Sequence, residues 1–144
     1  MAKLWVVDSS ILIPYLRSGK YENFLFTNLS RKTLFFPGPV LGEFYAGATT
    51  REDRKDLESL RQALGENVLD TTVDDWILAG RCIAMYSMRF GRIRPRDHIL
   101  DVLIAVSATK VGATLSTENV DDMNRWKVVL TRMGKKVKVE VPKA

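Results

Sequence analysis

At 144 residues the chain is the size of one domain, and a single hydrophobic core over 1–144 is the expectation. Its 46% hydrophobic and 27% charged residues exclude a disordered or fibrous chain, and 22 Lys and Arg against 17 Asp and Glu give a net charge of +5 that leans toward a polyanionic partner. The single Cys82 and single His98 exclude an intrachain disulfide, a multi-cysteine zinc or iron–sulfur site and a multi-histidine metal site.

Leu4 to Val7 is a short apolar run ending in Asp8-Ser9-Ser10, read as a buried strand feeding a helix from about Ser10 to Leu16, with Ser9 or Ser10 as its cap. That run is too short for the hydrophobic region of a signal peptide, and no stretch approaches the ~18 apolar residues of a membrane span. A cytoplasmic protein with no membrane partner is expected. Gly19 ends the first helix, and Tyr21 to Ser30 has the spacing of a second, amphipathic one. Thr33 to Phe36 reads as a strand, Pro39 opens a helix through about Ala48, and a charged helix runs from Arg51 to Leu64.

Asn67 to Asp70 suits a short strand and Thr72 to Phe90 a long helix. A basic loop, Gly91 to Arg96, precedes a helix expected from His98 to about Lys110 with Asp97 as its cap. Ala113 to Ser116 then reads as a strand, Asn119 to Trp126 as a helix and Val137 to Val141 as a final edge strand. Alternating strands and helices predict an α/β fold, a three-layer α/β/α sandwich around a mainly parallel central sheet.

Acids set in apolar sequence are the informative residues, because a carboxylate there must be paired, hydrogen-bonded or bound to a metal. Asp8 sits at the carboxyl end of the first strand, the edge where ligands bind in open α/β sheets, although capping the next helix would also explain it. Glu43 is the only charged residue between Phe35 and Thr50 and shares a helix face with Val40, Ala46 and Gly47; a solvent-facing glutamate is the plainer alternative. Asp101 aligns with Ile104, Ala105 and Ala108, so an acid lies on a face that otherwise reads as core; a first-turn position, favoured by the helix dipole, explains its charge but not its company. Thr117-Glu118-Asn119-Val120-Asp121-Asp122 again follows a strand, and several acids at a helix start are commonly just solvated. If Asp8, Glu43, Asp101 and an acid near 122 converge, their repulsion demands raised pKa values or a hard cation, and an all-oxygen set favours Mg²⁺ or Mn²⁺. Such a site suits phosphodiester hydrolysis without a histidine or cysteine nucleophile.

These residues resemble the PIN-domain ribonucleases, and within them the VapC-type toxins of toxin–antitoxin pairs. Val6-Val7-Asp8-Ser9-Ser10 is similar to the family's first strand and first acid, Pro39-Val40-Leu41-Gly42-Glu43-Phe44 to the helix carrying the second, and Asp101-Val102-Leu103-Ile104-Ala105 to the third-acid motif. Leu115 to Asp122 is similar to the final strand and last polar ligands, so the likeness runs from Val6 to Asp122. It implies a cytoplasmic, Mg²⁺- or Mn²⁺-dependent endoribonuclease acting on an RNA substrate, forming a homodimer and neutralised by a VapB-like antitoxin. By position it implies Asp8 and Asp101 as direct metal ligands, Glu43 as a ligand or water-orienting group, and Asp122 closing the site directly or through water. Asp121 or Asn119 can share that last role, and Ser10, Thr117 and Asn119 are supporting polar groups. The sequence departs from the family pattern at Glu118, where many relatives carry a basic or apolar residue, and at Met123, where an aromatic is common.

Arg92, Arg94 and Arg96, with Arg89 nearby, are candidate RNA-phosphate contacts or simply a solvated basic loop. Lys135, Lys136 and Lys138 read as surface charge, His98 as helix-end packing, Cys82 as core, and Trp5, Trp76 and Trp126 as packing residues. Phe24, Leu25, Leu29 and Tyr45 either form a groove for an antitoxin helix or belong to the core. A haloacid-dehalogenase-type phosphatase also has an Asp after its first strand but needs a second Asp where Ser10 stands, and a receiver domain has no place for the Glu43 helix. The remaining alternative is a PIN-like module that binds nucleic acid or a protein without cutting.

Overall fold

The computed structural model describes residues 2–144. Strand β1 (Trp5–Val7) passes into α1 (Ser9–Ser18) and α2 (Glu22–Ser30), β2 (Leu34–Pro37), α3 (Gly38–Gly47), α4 (Arg51–Leu64) and β3 (Val68–Leu69). Two long helices follow, α5 (Val73–Phe90) and α6 (Pro95–Val111), then β4 (Thr114–Ser116), α7 (Val120–Arg132) and β5 (Lys138–Glu140). The strands form one sheet in the order β3-β2-β1-β4-β5, and each pairing is parallel.

A parallel sheet is covered on both faces, so its central strands are short apolar runs without alternation. Val6, Val7 and Leu115 are fully buried accordingly. Right-handed crossovers put α1, α2 and α4 on one face and α5, α6 and α7 on the other, and the packing of α2 on α4 and of α5, α6 and α7 on one another agrees. The result is the expected three-layer sandwich, with a wholly parallel sheet. Helix α6 is buried from Val102 through Ala108, the pattern of a helix enclosed on every side.

The sheet order fixes where a site can form. The chain leaves β1 toward β2 on one side and later returns through β4 on the other, so the strand order reverses between β1 and β4. Their carboxyl ends flank the crevice that such a reversal opens.

Three local expectations are corrected. The cap of α1 is Asp8, the alternative raised for that residue, and not Ser9 or Ser10: its extended backbone lets the carboxylate accept from the Ser10 amide. Helix α6 begins at Pro95 with Arg94 as its cap residue, because a proline's fixed φ and missing amide suit the first turn. Asp97 therefore lies within that turn, 3.7 Å from Arg94, and Asp101 falls in the second turn, where the helix dipole has little hold. Trp76 is 45% exposed rather than packed, whereas Trp126 is buried and Trp5 meets Phe24 edge to face. No helix among the described residues is long and apolar enough to cross a membrane.

Candidate metal centre

Asp8 leaves β1 where its amide continues the sheet ladder onto the Ser116 carbonyl, and only 3% of it is exposed. Its carboxylate is held from two directions. Oδ1 accepts from the Ser10 amide at 3.0 Å and the Ser10 hydroxyl at 2.5 Å, and Oδ2 accepts from the Thr117 hydroxyl at 2.5 Å. The hydroxyls are oriented in turn, since Ser10 Oγ accepts from the Glu118 amide and Thr117 Oγ1 from the Asn119 amide. Each hydroxyl has one proton, and both are committed to Asp8. Burial pushes the Asp8 carboxyl above its ordinary pKa, the hydrogen bonds from Ser10 and Thr117 pull against that, and the charge of Glu43 adds to the rise.

Asp101 projects from the second turn of α6 and is half-buried. Its carboxyl is pushed up to about 6, by burial first and then by the charges of Asp8, Glu43 and Asp122, with His98 opposing. The four acids named from sequence thus share one electrostatic neighbourhood, built from the end of β1, α3, α6 and the start of α7. Glu43 and Asp122 are exposed, the latter beside Asn119 and Asp121 in a shallow acidic recess after β4.

Among the described residues, no three Asp, Glu, His or Cys side chains are close enough to enclose one ion together. Neither is any of the four acids ion-paired with a Lys, Arg or His of the described residues. A set of mutually repelling carboxylates with no cationic partner fits a hard divalent cation. Buried Asp8 and half-buried Asp101 would hold it, with exposed Glu43 and Asp122 in the same electrostatic neighbourhood.

Sequence reasoning missed the clasp behind the site. Lys20 Nζ and Tyr21 Oη both donate to Glu118 Oε2 at 2.8 Å, joining the α1–α2 turn to the loop after β4. Tyr21 is buried and adopts φ +69°, the left-handed region that costs a non-glycine residue about 1 kcal/mol or more. Contacts between residues nearly a hundred positions apart leave no local pattern, and the departure at Glu118 was the only signal.

Of the basic cluster, Arg89 ends α5, Arg92 lies in the loop, and Arg94 and Arg96 begin α6; each is exposed. Arg94 stands seven residues before Asp101, about 10 Å along the axis. His98 packs against Trp126, and Cys82 is buried beside Met133 with its thiol pushed up to about 11. Leu25 and Leu29 belong to the core, and Tyr45 is exposed with its hydroxyl on Glu58. Phe24 is half-buried and lines a groove with Trp5, Asn28 and Val141, and a separate groove of about 270 Å³ lies between α1, α3 and α4, lined by Ile13, Leu16, Arg17, Phe44 and Glu43 itself.

The PIN domain family model matches residues 5–126. No curated protein matches by sequence. Among solved structures, the chain superposes on DNA-bound VapBC from Salmonella typhimurium with a TM-score of 0.73 at 18% identity, covering 97% of this chain and 98% of that one. VapBC2 from Rickettsia felis bound to a promoter DNA fragment gives 0.66 at 18% identity, over 97% and 99%. VapBC-1 from nontypeable Haemophilus influenzae gives 0.67 at 18%, over 96% and 97%. At such identities the superpositions speak to fold alone, and the family model covers most of the chain: the protein belongs to the PIN-domain family.

Proposed function

We propose that the protein is a Mg²⁺- or Mn²⁺-dependent endoribonuclease, a VapC-type toxin neutralised by a VapB-like antitoxin. The observation that supports this most is that Asp8, Glu43 and Asp122 each add to the negative charge felt by Asp101 beside the strand-order reversal, and none of the four is ion-paired to a Lys, Arg or His of the described residues. The VapBC neighbours favour the toxin reading over a general nuclease.

When bound, the cation supplies Lewis acidity at a phosphoryl oxygen and lowers the pKa of a water. Asp8 and Asp101 are the direct ligands in this reading, and Asp122, with Asn119 or Asp121, completes the set. Ser10 and Thr117 keep Asp8 oriented with both oxygens hydrogen-bonded. Glu43 orients the water for in-line attack on phosphorus. The P–O3′ bond breaks as the new P–O bond forms, the water's proton passes to a carboxylate, and the leaving 3′ oxygen takes up a proton. The products carry 5′-phosphate and 3′-hydroxyl ends. Arg92, Arg94 and Arg96 supply phosphate contacts near Asp101.

The α1–α3–α4 groove suits an antitoxin segment, because an apolar side chain seated on Ile13 and Phe44 lies beside Glu43 and closes the site. Val73, Trp76, Ile77 and Met88 recur at helical spacing on α5 and are all exposed, an apolar face that suits a homodimer. Cytoplasmic location follows from the proposed RNA target.

The deciding experiment incubates purified protein with total cellular RNA in Mg²⁺ or Mn²⁺, with EDTA and Asp8→Asn controls, and maps new 5′ ends. Discrete cuts lost in both controls support the reading. No cutting by the folded, metal-loaded protein favours the non-catalytic binding module.

A further inference from the structure

The edge of the sheet opposite the acids carries a second concave site. A groove of about 540 Å³ is lined by Lys3, Lys127, Lys136 and Lys138, with Leu4 and Val137 in its walls. Its position follows from the parallel sheet: Leu4 precedes β1, Thr114 opens β4 and Lys138 opens β5, so these strand starts share one edge while Asp8 and Thr117 lie past the strand ends on the other. Lys127 comes from the middle of α7 and Lys136 from the segment between α7 and β5.

No carboxylate lines this groove. Lys3 reaches Glu140 at 2.7 Å in an exposed pair, and Lys127, Lys136 and Lys138 have no acidic partner among the described residues. The carboxyl end of α6 does not consume them either, since the Gly112 and Ala113 amides close on the Thr109 and Ala108 carbonyls. Among the described residues, acids without an ion-pair partner therefore lie at one end of the sheet and Lys127, Lys136 and Lys138, likewise without one, at the other.

Lysines on a convex surface are simply hydrated. Around a recess with apolar walls they match a ligand that is anionic on one side and apolar on the other, which is the chemistry of a nucleotide. A duplex keeps its bases inside and would touch only the rim, whereas a single strand can turn a ribose or base into the recess. We propose that this groove binds a nucleotide unit of single-stranded RNA, its phosphate on the lysines and its base or ribose against Leu4 and Val137, as a contact remote from the acids. The choice of RNA as the polymer rests on the proposed function; the lysine groove does not.

The test uses the full chain carrying Asp8→Asn, in EDTA, with a fluorescent 20-nucleotide single-stranded RNA and anisotropy read at several salt concentrations. Lys127→Gln, Lys136→Gln and Lys138→Gln together should weaken binding about tenfold or more and flatten the salt slope by about 2, from roughly 0.7 per lost phosphate contact. A charge-matched control, Arg31→Gln, Arg51→Gln and Lys55→Gln, should do much less, and thermal melts establish that both variants fold. Equal losses in the two variants, or no change in the first, overturn the proposal. So does a larger effect on duplex DNA of the same length, or calorimetric binding of AMP that depends on the three lysines while RNA affinity does not. Because binding is read without metal on a chain with an acid removed, its failure is separate from a failure to cleave RNA.

Discussion

The Tyr21 hydroxyl and the Glu118 carboxylate meet at 2.8 Å, and through them a buried tyrosine in the left-handed region governs the loop that carries Thr117 and Asn119. The relay continues from the Glu118 amide to Ser10 Oγ and from there to Asp8. Tyr21→Phe keeps the ring and removes only the donor. It should cost about 1 kcal/mol in chemical denaturation and speed hydrogen exchange of the Glu118 amide. An unchanged exchange rate there would show that the Lys20 contact suffices.

Asp101 should make the protein less stable where it is ionised. Its carboxyl titrates at about 6 in the folded chain against an ordinary 3.8, so the folded form binds a proton that the unfolded form releases. Stability without metal should be greatest below pH 4 as far as this group is concerned, and should fall as pH rises from about 4 through 6 by about 2 kcal/mol, the ~3 kcal/mol of the full shift reduced because Asp101 is partly open to screening solvent. Asp101→Asn should remove that dependence, raise Tm at pH 7 in EDTA and abolish cleavage. Melting curves between pH 4 and 7.5 on both proteins test this, and parallel pH profiles would refute it.

Adding Mn²⁺ should reverse the same penalty. At pH 7 and a hundredfold excess over Kd the ion should stabilise the wild type by about 2.7 kcal/mol. The gain should shrink toward pH 5 as protons compete for the carboxylates, and Asp8→Asn should lose most of it. Calorimetry with and without the ion provides the reading.

Thr117→Val keeps shape and removes the proton given to Asp8 Oδ2. Loss of such a partner behind a ligand typically costs 10–100-fold in metal affinity or activity, on the order of that seen for other outer-shell groups. Activity titrated against Mn²⁺ should show a shifted metal requirement; an unaltered curve would make the hydroxyl purely structural.

Trp76→Glu places a charge in the exposed apolar face of α5. Light scattering should show a dimer for the wild type and a monomer for the variant, with unchanged melting in the monomer's own range. A wild type that is monomeric at all concentrations would leave that face without its proposed partner copy.

Much of the fold was legible because parallel strands are apolar runs and the helices between them are amphipathic. Val6-Val7 and Leu115 announced the centre of the sheet, and Asp8 and Asp101 stood out as acids in apolar company. The start of α6 was not legible, because a cap-competent aspartate at 97 competed with a proline at 95 and the proline prevailed. Trp76 was misjudged since period alone cannot tell a face covered by the same chain from one left open. The hydroxyls of Ser10 and Thr117 could be named as neighbours of the site, but their shared hold on Asp8 arises only when β1 and β4 are paired. The lysine groove was invisible for the same reason, being assembled from the starts of strands far apart in the chain.

The strand order also sets a timetable for synthesis. Strand β1 lies between β2 and β4, and Asp8 waits for a hydroxyl 109 positions downstream. A nascent chain that has exposed β1, β2 and their helices still has one side of β1 unpaired, and Asp8 lacks both Thr117 and the Glu118 amide that orients Ser10. Long-range parallel pairing is slow to form in any case. The hydroxyls that hold Asp8 are therefore in place only after synthesis has passed Glu118, long after β1 itself has been made.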